Sequence, residues 1–235
     1  MMSIAELKKK LSSPGDLDSN PETEFAKLAK ALLNDFQIEK GDKRYWMTDI
    51  EFYLYTDSHR DIITYPRNCE AGMWFFHASG VDISFESKVD LEEHPNKHRL
   101  MPLLTKDAVF GGILIRGIVQ DLEGASLVDG PMRVCDELFD RFNAFETPND
   151  FPKIIDADAP RNVCVIRDEY GRYGLKENAI EKVKSILYNY CPLDPNYLTR
   201  EDLAAEYAKF FPAKYRFLAP PSKPSNLRNS TPHHP

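Results

Sequence analysis

A carboxylate in the stretch "DIEFYLYTDSHRDIITYPRN" (49–68) is the first candidate for chemistry in this sequence. Apolar residues alternate along its first half, at Ile50, Phe52 and Leu54. Because successive side chains of a strand point to opposite faces, this pattern predicts a strand that buries one face. Glu51 and Tyr53 then lie together on the other face. A carboxylate held there can act as a general base toward a bound water molecule.

A polar cluster follows this strand and adds side chains that bind ligands in many sites. His59 stands in "DSH", and "YPRN" ends in Arg67 and Asn68. Another reading of the same residues stays open. Glu51 then lies on the solvated face of an antiparallel strand, His59 is a turn residue, and the Pro-Arg-Asn sequence only fixes a turn.

The elements that must position these residues follow from hydrophobic periodicity. The sequence predicts helices at 22–36, after Gly130-Pro131, and in "KENAIEKVKSILYNY" (176–190) and "TREDLAAEYAKFF" (199–211). It predicts strands at 44–55, on both sides of Gly80 within 73–87, and at 109–120 and 161–169. Thr199 can cap the last helix, with Asp202 three residues on. Strands and helices mix without regular β-α-β alternation, which predicts a single α+β domain.

The segments at the two ends differ from the body. Residues 1–22 are predicted to form a lysine-bearing helical start followed by a linker, and residues 23–221 the α+β domain. Residues 222–235 are rich in Pro, Ser and Asn and are predicted to be disordered. The N-terminus lacks the apolar stretch of about 7–15 residues that marks a signal peptide. No apolar run approaches the roughly 18 residues of a membrane span, so no membrane association is expected.

The net charge and the positions of the cysteines further restrict the possible functions. The net charge is −7, and residues 212–235 carry four basic residues and no acidic ones. The rest therefore holds 26 basic and 37 acidic residues, which does not favour duplex binding by phosphate neutralisation. Four cysteines are scattered without metal-binding spacing: Cys69, Cys135, Cys164 and Cys191. We expect reduced thiols, a cytoplasmic location, and neither a metal nor a cofactor.

Nine short motifs occur in the order of one known family. They are "LAKALLND", "DIEFY", "DSH", "YPRN", "MWFFHASG", "ILIRG", "GPMRVCDEL", "APRNVCVI" and "PAKYRFL", and they cover about residues 24–220. In this order the sequence resembles the alkyladenine (3-methylpurine) DNA glycosylases. The resemblance implies their fold, a curved and largely antiparallel sheet flanked by helices. Two spacings differ, because the stretch after Asn68 is short and a helical insertion lies between Val165 and Pro212.

The resemblance also implies roles for individual residues. Glu51 matches the glutamate that activates water for attack on the sugar carbon, and this carboxylate also stabilises an oxocarbenium-like state. Tyr53, His59, Phe76 and Arg116 match residues that hold the extruded base, which must stack on side chains once it leaves the helix. From the residues alone, Tyr53 and Phe76 also fit core positions. Arg116 also fits a structural ion pair with Asp82 or Glu86.

Departures from the family pattern affect the predicted site. Ser79 stands where the family has an aromatic wedge, and Glu86 stands where it has a pocket asparagine. A serine cannot replace a stacking ring in the gap of a duplex. Glu86 is predicted to line the base pocket. If it lies beside Arg116 the two pair and Glu86 only accepts hydrogen bonds; without a partner, burial raises its pKa and it can donate, and the two cases predict opposite base preferences. Ile50 replaces a threonine on the core side of the strand.

The resulting hypothesis is an N-glycosidic hydrolase that releases a modified base from DNA during base-excision repair. Glu51 is its catalytic residue. Tyr53, His59, Phe76, Glu86 and Arg116 are base-binding, and Arg67, Asn68 and Ser79 contact the nucleic acid. The alternative is a non-catalytic nucleotide or single-strand binding module that keeps the fold and pocket. A third class is an interaction protein whose acidic body mimics nucleic acid. Oligomeric state and the choice between duplex, single strand and free nucleotide stay open.

Overall fold

The computed structural model describes residues 1–93, 100–139, 142, 144–145, 150–169 and 199–221. Five helices are described: α1 (Ile4–Ser12), α2 (Gly15–Asp18), α3 (Pro21–Asn34), α4 (Pro131–Phe139) and α5 (Arg200–Phe210). The strands are β1 (Phe36–Lys40), β2 (Lys43–Tyr55), β3 (Trp74–His77), β4 (Gly80–Ser84), β5 (Asp90–Glu93), β6 (Leu100–Leu103), β7 (Phe110–Gln120), β8 (Leu127–Asp129), β9 (Lys153–Asp156), β10 (Ile166–Arg167) and β11 (Arg216–Leu218). The helix predicted at 176–190 and the tail 222–235 lie outside the described residues.

A curled antiparallel sheet flanked by a few helices forms the body, so the α+β class is confirmed. Its main path runs in the order β10-β11-β2-β7-β4-β3. Off this path, β1 pairs with β2, β9 pairs with β1, and β8 pairs with β7. Strands β5 and β6 form a separate hairpin. The long central pair, β2 and β7, shifts register near Asp49, an irregularity of the kind that increases strand twist.

The two faces of β2 have different chemistry. Ile50, Phe52 and Leu54 are fully buried in the main core with helix α3, as the alternation predicts. We call the opposite side the polar face, and define it by Asp49, Glu51 and Tyr53 of β2 and by the residues that share their rows on neighbouring strands. At its far end this face passes into a second apolar cluster, where Tyr55 stacks on Phe110 with ring centroids 4.7 Å apart.

The helices begin where their cap residues predict. Pro131 opens α4 and Thr199 caps α5, because the Thr199 hydroxyl accepts from the Asp202 backbone N–H at 3.1 Å. In return, the Asp202 carboxylate accepts from the Thr199 backbone N–H at 2.8 Å. This reciprocal capping box confirms the predicted start of the helix.

The N-terminal segment packs more closely than the predicted linker. Residues 1–22 form α1, α2 and the start of α3, and Leu7, Leu11 and Leu17 are each at most 2% exposed. These leucines belong to the main core cluster. The polar composition that predicted a linker misses the leucines, whose burial depends on the sheet beneath them.

Candidate functional site

The registers of three neighbouring strands place two carboxylates in one row of the polar face. Leu114 of β7 is the cross-strand partner of both Glu51 in β2 and Asp82 in β4. Directly opposite side chains of antiparallel strands point to the same side of the sheet. Because adjacent strands lie about 4.8 Å apart, the backbones of Glu51 and Asp82 are separated by roughly 10 Å.

Glu51 is paired with the arginine of β7. Arg116 Nη1 donates to Glu51 Oε2 at 2.8 Å, and the side chains of Arg116 and Glu51 are 25% and 2% exposed. Burial opposes the charge of Arg116, but the negative charge of Glu51, with that of Asp49 nearby, outweighs it and raises the guanidinium pKa above its ordinary value. Arg116 therefore stays charged, and it is the member of the pair that reaches the surface.

A second arginine lies directly beside this pair. Arg216 of β11 is the cross-strand partner of Glu51, and its guanidinium binds Asp49 through two hydrogen bonds, of 2.9 Å and 2.7 Å. Its remaining Nη1 lies 3.1 Å from Asp168 Oδ2. All three side chains of this triad are at most 4% exposed. One cation between two carboxylates leaves the triad with a formal charge of −1.

A third arginine, which is buried, lies on the β4 side of the polar face. Arg67 Nη2 lies 2.7 Å from Asp82 Oδ2, and Phe75 covers the guanidinium with 3.8 Å between Arg67 Cζ and the ring centroid. His77 Nε2 lies 2.9 Å from Asp82 Oδ1. A Cβ on Gly112 would lie 2.8 Å from Arg67 Nη1, so the glycine gives the guanidinium room to rest on β7.

Two of the predicted base-binding residues lie away from the polar face. His59 is 4% exposed and sits among core rings, with its Nε2 3.0 Å from the Tyr215 hydroxyl and its Nδ1 2.8 Å from the Leu54 carbonyl oxygen. Phe76 pairs with Val81 and is half exposed. It lies on the α4 side of the sheet, where its ring meets Phe139 edge-on at 4.8 Å. The shared wall predicted for Glu51 and Phe76 is therefore wrong.

The predicted contact between Glu86 and Arg116 is also wrong. Glu86 is exposed, and its Oε2 accepts from the Ala71 backbone N–H at 2.9 Å, while Arg116 binds Glu51. Glu86 lies two residues beyond Ser84, the last residue of β4. The carboxylate that faces the site from β4 is instead Asp82. The predicted place of Glu86 in the base pocket, and any base preference that depends on it, is therefore wrong.

The residues predicted to contact nucleic acid have three different surroundings. Arg67 is buried in its ion pair with Asp82. The Asn68 side chain donates to the Val89 carbonyl at 3.1 Å and accepts from the Val89 N–H at 2.6 Å, so it joins two loops. Ser79 is exposed in the turn between β3 and β4.

The sequence prediction missed most of the buried charges on this face. Those that it did not name as site residues are Asp49, Asp82, Asp168 and Arg216, and it also missed His77, which contacts Asp82. Asp49 shares the strand parity of Glu51, and Arg216 stands in the quoted motif "PAKYRFL", so a signal for both was present. The signal for Asp168 is only a charged residue after a short strand. Its partner is visible only when β10 lies against β11.

The described residues outside the polar face add no metal-binding group at Glu51. A surface cavity of about 820 Å³ lies elsewhere, lined by residues that include Arg167, Lys209, Lys214 and Tyr215. Within the described ranges, no group of three or more histidine, cysteine, aspartate or glutamate side chains is arranged to hold a metal ion. In the same ranges no helix has the length and apolar character needed to cross a bilayer.

Comparison with known proteins gives one distant similarity. The chain matches no protein-family model, and no solved structure matches it significantly. It is 25% identical over 131 residues to an uncharacterized protein of Acanthamoeba polyphaga mimivirus. The match covers 50% of this chain and 57% of the viral protein, so the chain spans little more than half the length of that relative. This similarity carries no functional information.

Proposed function

We propose that the protein is an N-glycosidic hydrolase that releases a modified base from DNA, with Glu51 as general base. The observation that carries the proposal is the Glu51–Arg116 pair on the polar face of the central strand. The motif order adds support, since it resembles that of the alkylpurine DNA glycosylases, and the fold of that family is part of the proposal. The curled antiparallel sheet is compatible with it.

The chemistry needs a carboxylate beside a bound water. The water oxygen forms a bond to the anomeric carbon of the sugar, and the bond from that carbon to the base nitrogen breaks. Glu51 takes the proton of the water, and the base leaves with the bonding electron pair. Positive charge develops on the sugar ring in this step, so a buried carboxylate also stabilises the transition state.

Arg116 contributes by position. Its hydrogen bond fixes Glu51 Oε2 and so holds the carboxylate in one orientation. Because its side chain is 25% exposed, Arg116 also lies where a ligand approaches the pair. Tyr53 is half-buried two residues along the same strand face, where its ring can stack on a base. The free thiols of Cys69, Cys135 and Cys164 fit the proposed cytoplasmic location.

A second candidate function is a binding module without catalysis. It is favoured by the burial of Glu51, which is 1% exposed and already paired with a cation. Breaking such a pair costs several kcal/mol, so it also serves a structural purpose. In this case the polar face binds a nucleotide and turns nothing over.

Base release separates the two candidates. The wild type and Glu51→Gln are incubated with oligonucleotides carrying hypoxanthine, alkylated purines or modified pyrimidines, in single-stranded and duplex form. We expect release by the wild type and loss of at least about 100-fold in the variant. Glu86→Gln is the matched control, since Glu86 is exposed and outside the polar face, and should release base like the wild type. Equal background from the wild type and Glu51→Gln removes the enzyme hypothesis.

A further inference from the structure

The arginines of the polar face are bound to carboxylates rather than arranged to meet phosphates. Among the described residues, Arg67 and Arg216 are 1% and 4% exposed at their side chains, and both contact aspartates. Arg116 is 25% exposed. Of these three, only Arg116 has an exposed part of its side chain, so only Arg116 can meet a phosphate while it keeps its buried partner Glu51. Breaking either of the other pairs would leave a carboxylate buried without a cation.

The charges on this face also argue against several phosphate contacts. Three arginines stand beside four carboxylates: Asp49, Glu51, Asp82 and Asp168. The Ser79 backbone N–H donates to His77 Nδ1 at 3.2 Å, so the proton of a neutral His77 is on Nε2, toward Asp82. With a neutral histidine these ion pairs carry a formal charge of −1, and Asp129, which β8 places in the row of Asp49, adds a further carboxyl group to the face. A duplex binder normally gains most of its affinity from several phosphate contacts, which this face does not offer.

The turn beside the site carries only small side chains. Strands β3 and β4 are joined through Ala78 and Ser79, both exposed, at the edge of the sheet. An enzyme that extrudes a base from a duplex pays for unstacking, and a bulky side chain commonly fills the gap. Alanine and serine cannot fill it. A base that is already unpaired requires no such wedge.

We infer that the polar face binds an unpaired nucleotide through its base and sugar, with at most one phosphate contact, made by Arg116. This rests on the proposed function for the choice of site, and it names the substrate class. Two sources share this chemistry, a single strand of nucleic acid and a free nucleotide.

Salt dependence of binding tests the number of phosphate contacts. The affinity of the wild type for a labelled single strand and for the duplex of the same sequence is measured between about 50 and 200 mM salt. One contact to a single strand predicts a slope of log K against log salt of about −0.7. We expect this shallow slope and tighter binding of the single strand. Tighter binding of the duplex, a slope of about −1.4 or steeper, which means two or more contacts, or no binding of any ligand overturns the inference.

A ligand series assigns the single contact without relying on folding of a variant. A nucleoside and its monophosphate are compared on the wild type, where we expect the phosphate to improve affinity by up to about tenfold. In Arg116→Gln, checked by its melting curve, this advantage should disappear. Lys8→Gln, an exposed lysine of α1, should leave it unchanged. A phosphate advantage that persists in a folded Arg116→Gln overturns the assignment to Arg116.

The same ligand series shows whether the ligand is a single strand or a free nucleotide. It also distinguishes failure of the proposed hydrolase from failure of the proposed binding of an unpaired nucleotide. A single strand that binds more than about tenfold tighter than the monophosphate supports nucleic acid as the ligand. Equal affinities support a free nucleotide. These are binding measurements, so they hold if the wild type releases no base, an outcome that removes only the hydrolase. Base release with preferred binding to the duplex removes only the inference.

Discussion

Arg216 is the cation that two buried carboxylates share, so its removal is predicted to destabilise the protein. In Arg216→Met, Asp49 and Asp168 keep their burial, each at 0% exposure, and lose the cation that both of them contact. Removing one partner of a buried pair costs about 3–5 kcal/mol, because a charge is left in a poorly solvating interior. Domains of this size are typically stable by roughly 5–15 kcal/mol, so the variant should be folded but marginal.

Urea unfolding followed by circular dichroism measures this difference. Lys27→Met is the control, since Lys27 is 65% exposed and its ion pair with Glu24 is on the surface of α3. Surface pairs of this kind contribute about 0–1 kcal/mol. A loss below about 1 kcal/mol in Arg216→Met, similar to the control, would refute the view that this triad is a tightly coupled buried network.

Acid should partly restore the Arg216→Met variant. Burial without a cation raises the pKa of a carboxyl group above its unfolded value of about 3.9. The folded variant then binds more protons than its unfolded chain, so its stability rises as pH falls toward that value. We expect the gap between wild type and variant to narrow from pH 7 to about pH 5. A gap that widens over this interval contradicts the reasoning.

Two further predictions test the ends of the chain. Leu17→Ala should lower the free energy of unfolding by about 2–5 kcal/mol, because Leu17 is fully buried in the segment predicted as a linker. Leu122→Ala, at a 65% exposed position, is the control, and equal small effects would show that α2 is not part of the core. The backbone N–H of Thr199 lowers the pKa of Asp202 below 3.8, so this stabilisation is present above that value and lost as pH falls through the lowered one. The stability difference between wild type and Asp202→Asn should therefore be larger at pH 7 than at pH 2, and a pH-independent difference would contradict the cap.

Local patterns predicted the long elements, such as α3, β2 and β7, but missed six of the eleven described strands: β1, β5, β6, β8, β9 and β11. The alternation around Glu51 predicted β2 and its buried face, and Gly80 correctly marked the turn region between β3 and β4. Proline and threonine positioned the starts of α4 and α5. These features depend on residues a few positions apart, so they can be read along the chain.

Polar composition was a poorer guide. It predicted a linker before α3, but the leucines of α1 and α2 are buried against a surface that the sequence of this segment does not contain. His59 shows the opposite case, since its sequence neighbours suggested a ligand-binding turn while its ring packs among Phe25, Phe210 and Tyr215.

The sequence by itself determined that Glu51 lies opposite the core face of a strand, because side-chain direction alternates with every residue. Only the tertiary structure decided which cation meets which carboxylate. Glu51 and Arg116 are 65 positions apart, and Asp49 and Arg216 are 167 apart. Each carboxylate could pair with several arginines in an unfolded chain. Strand order and register select one partner for each, since a shift of one residue would turn every side chain to the other face.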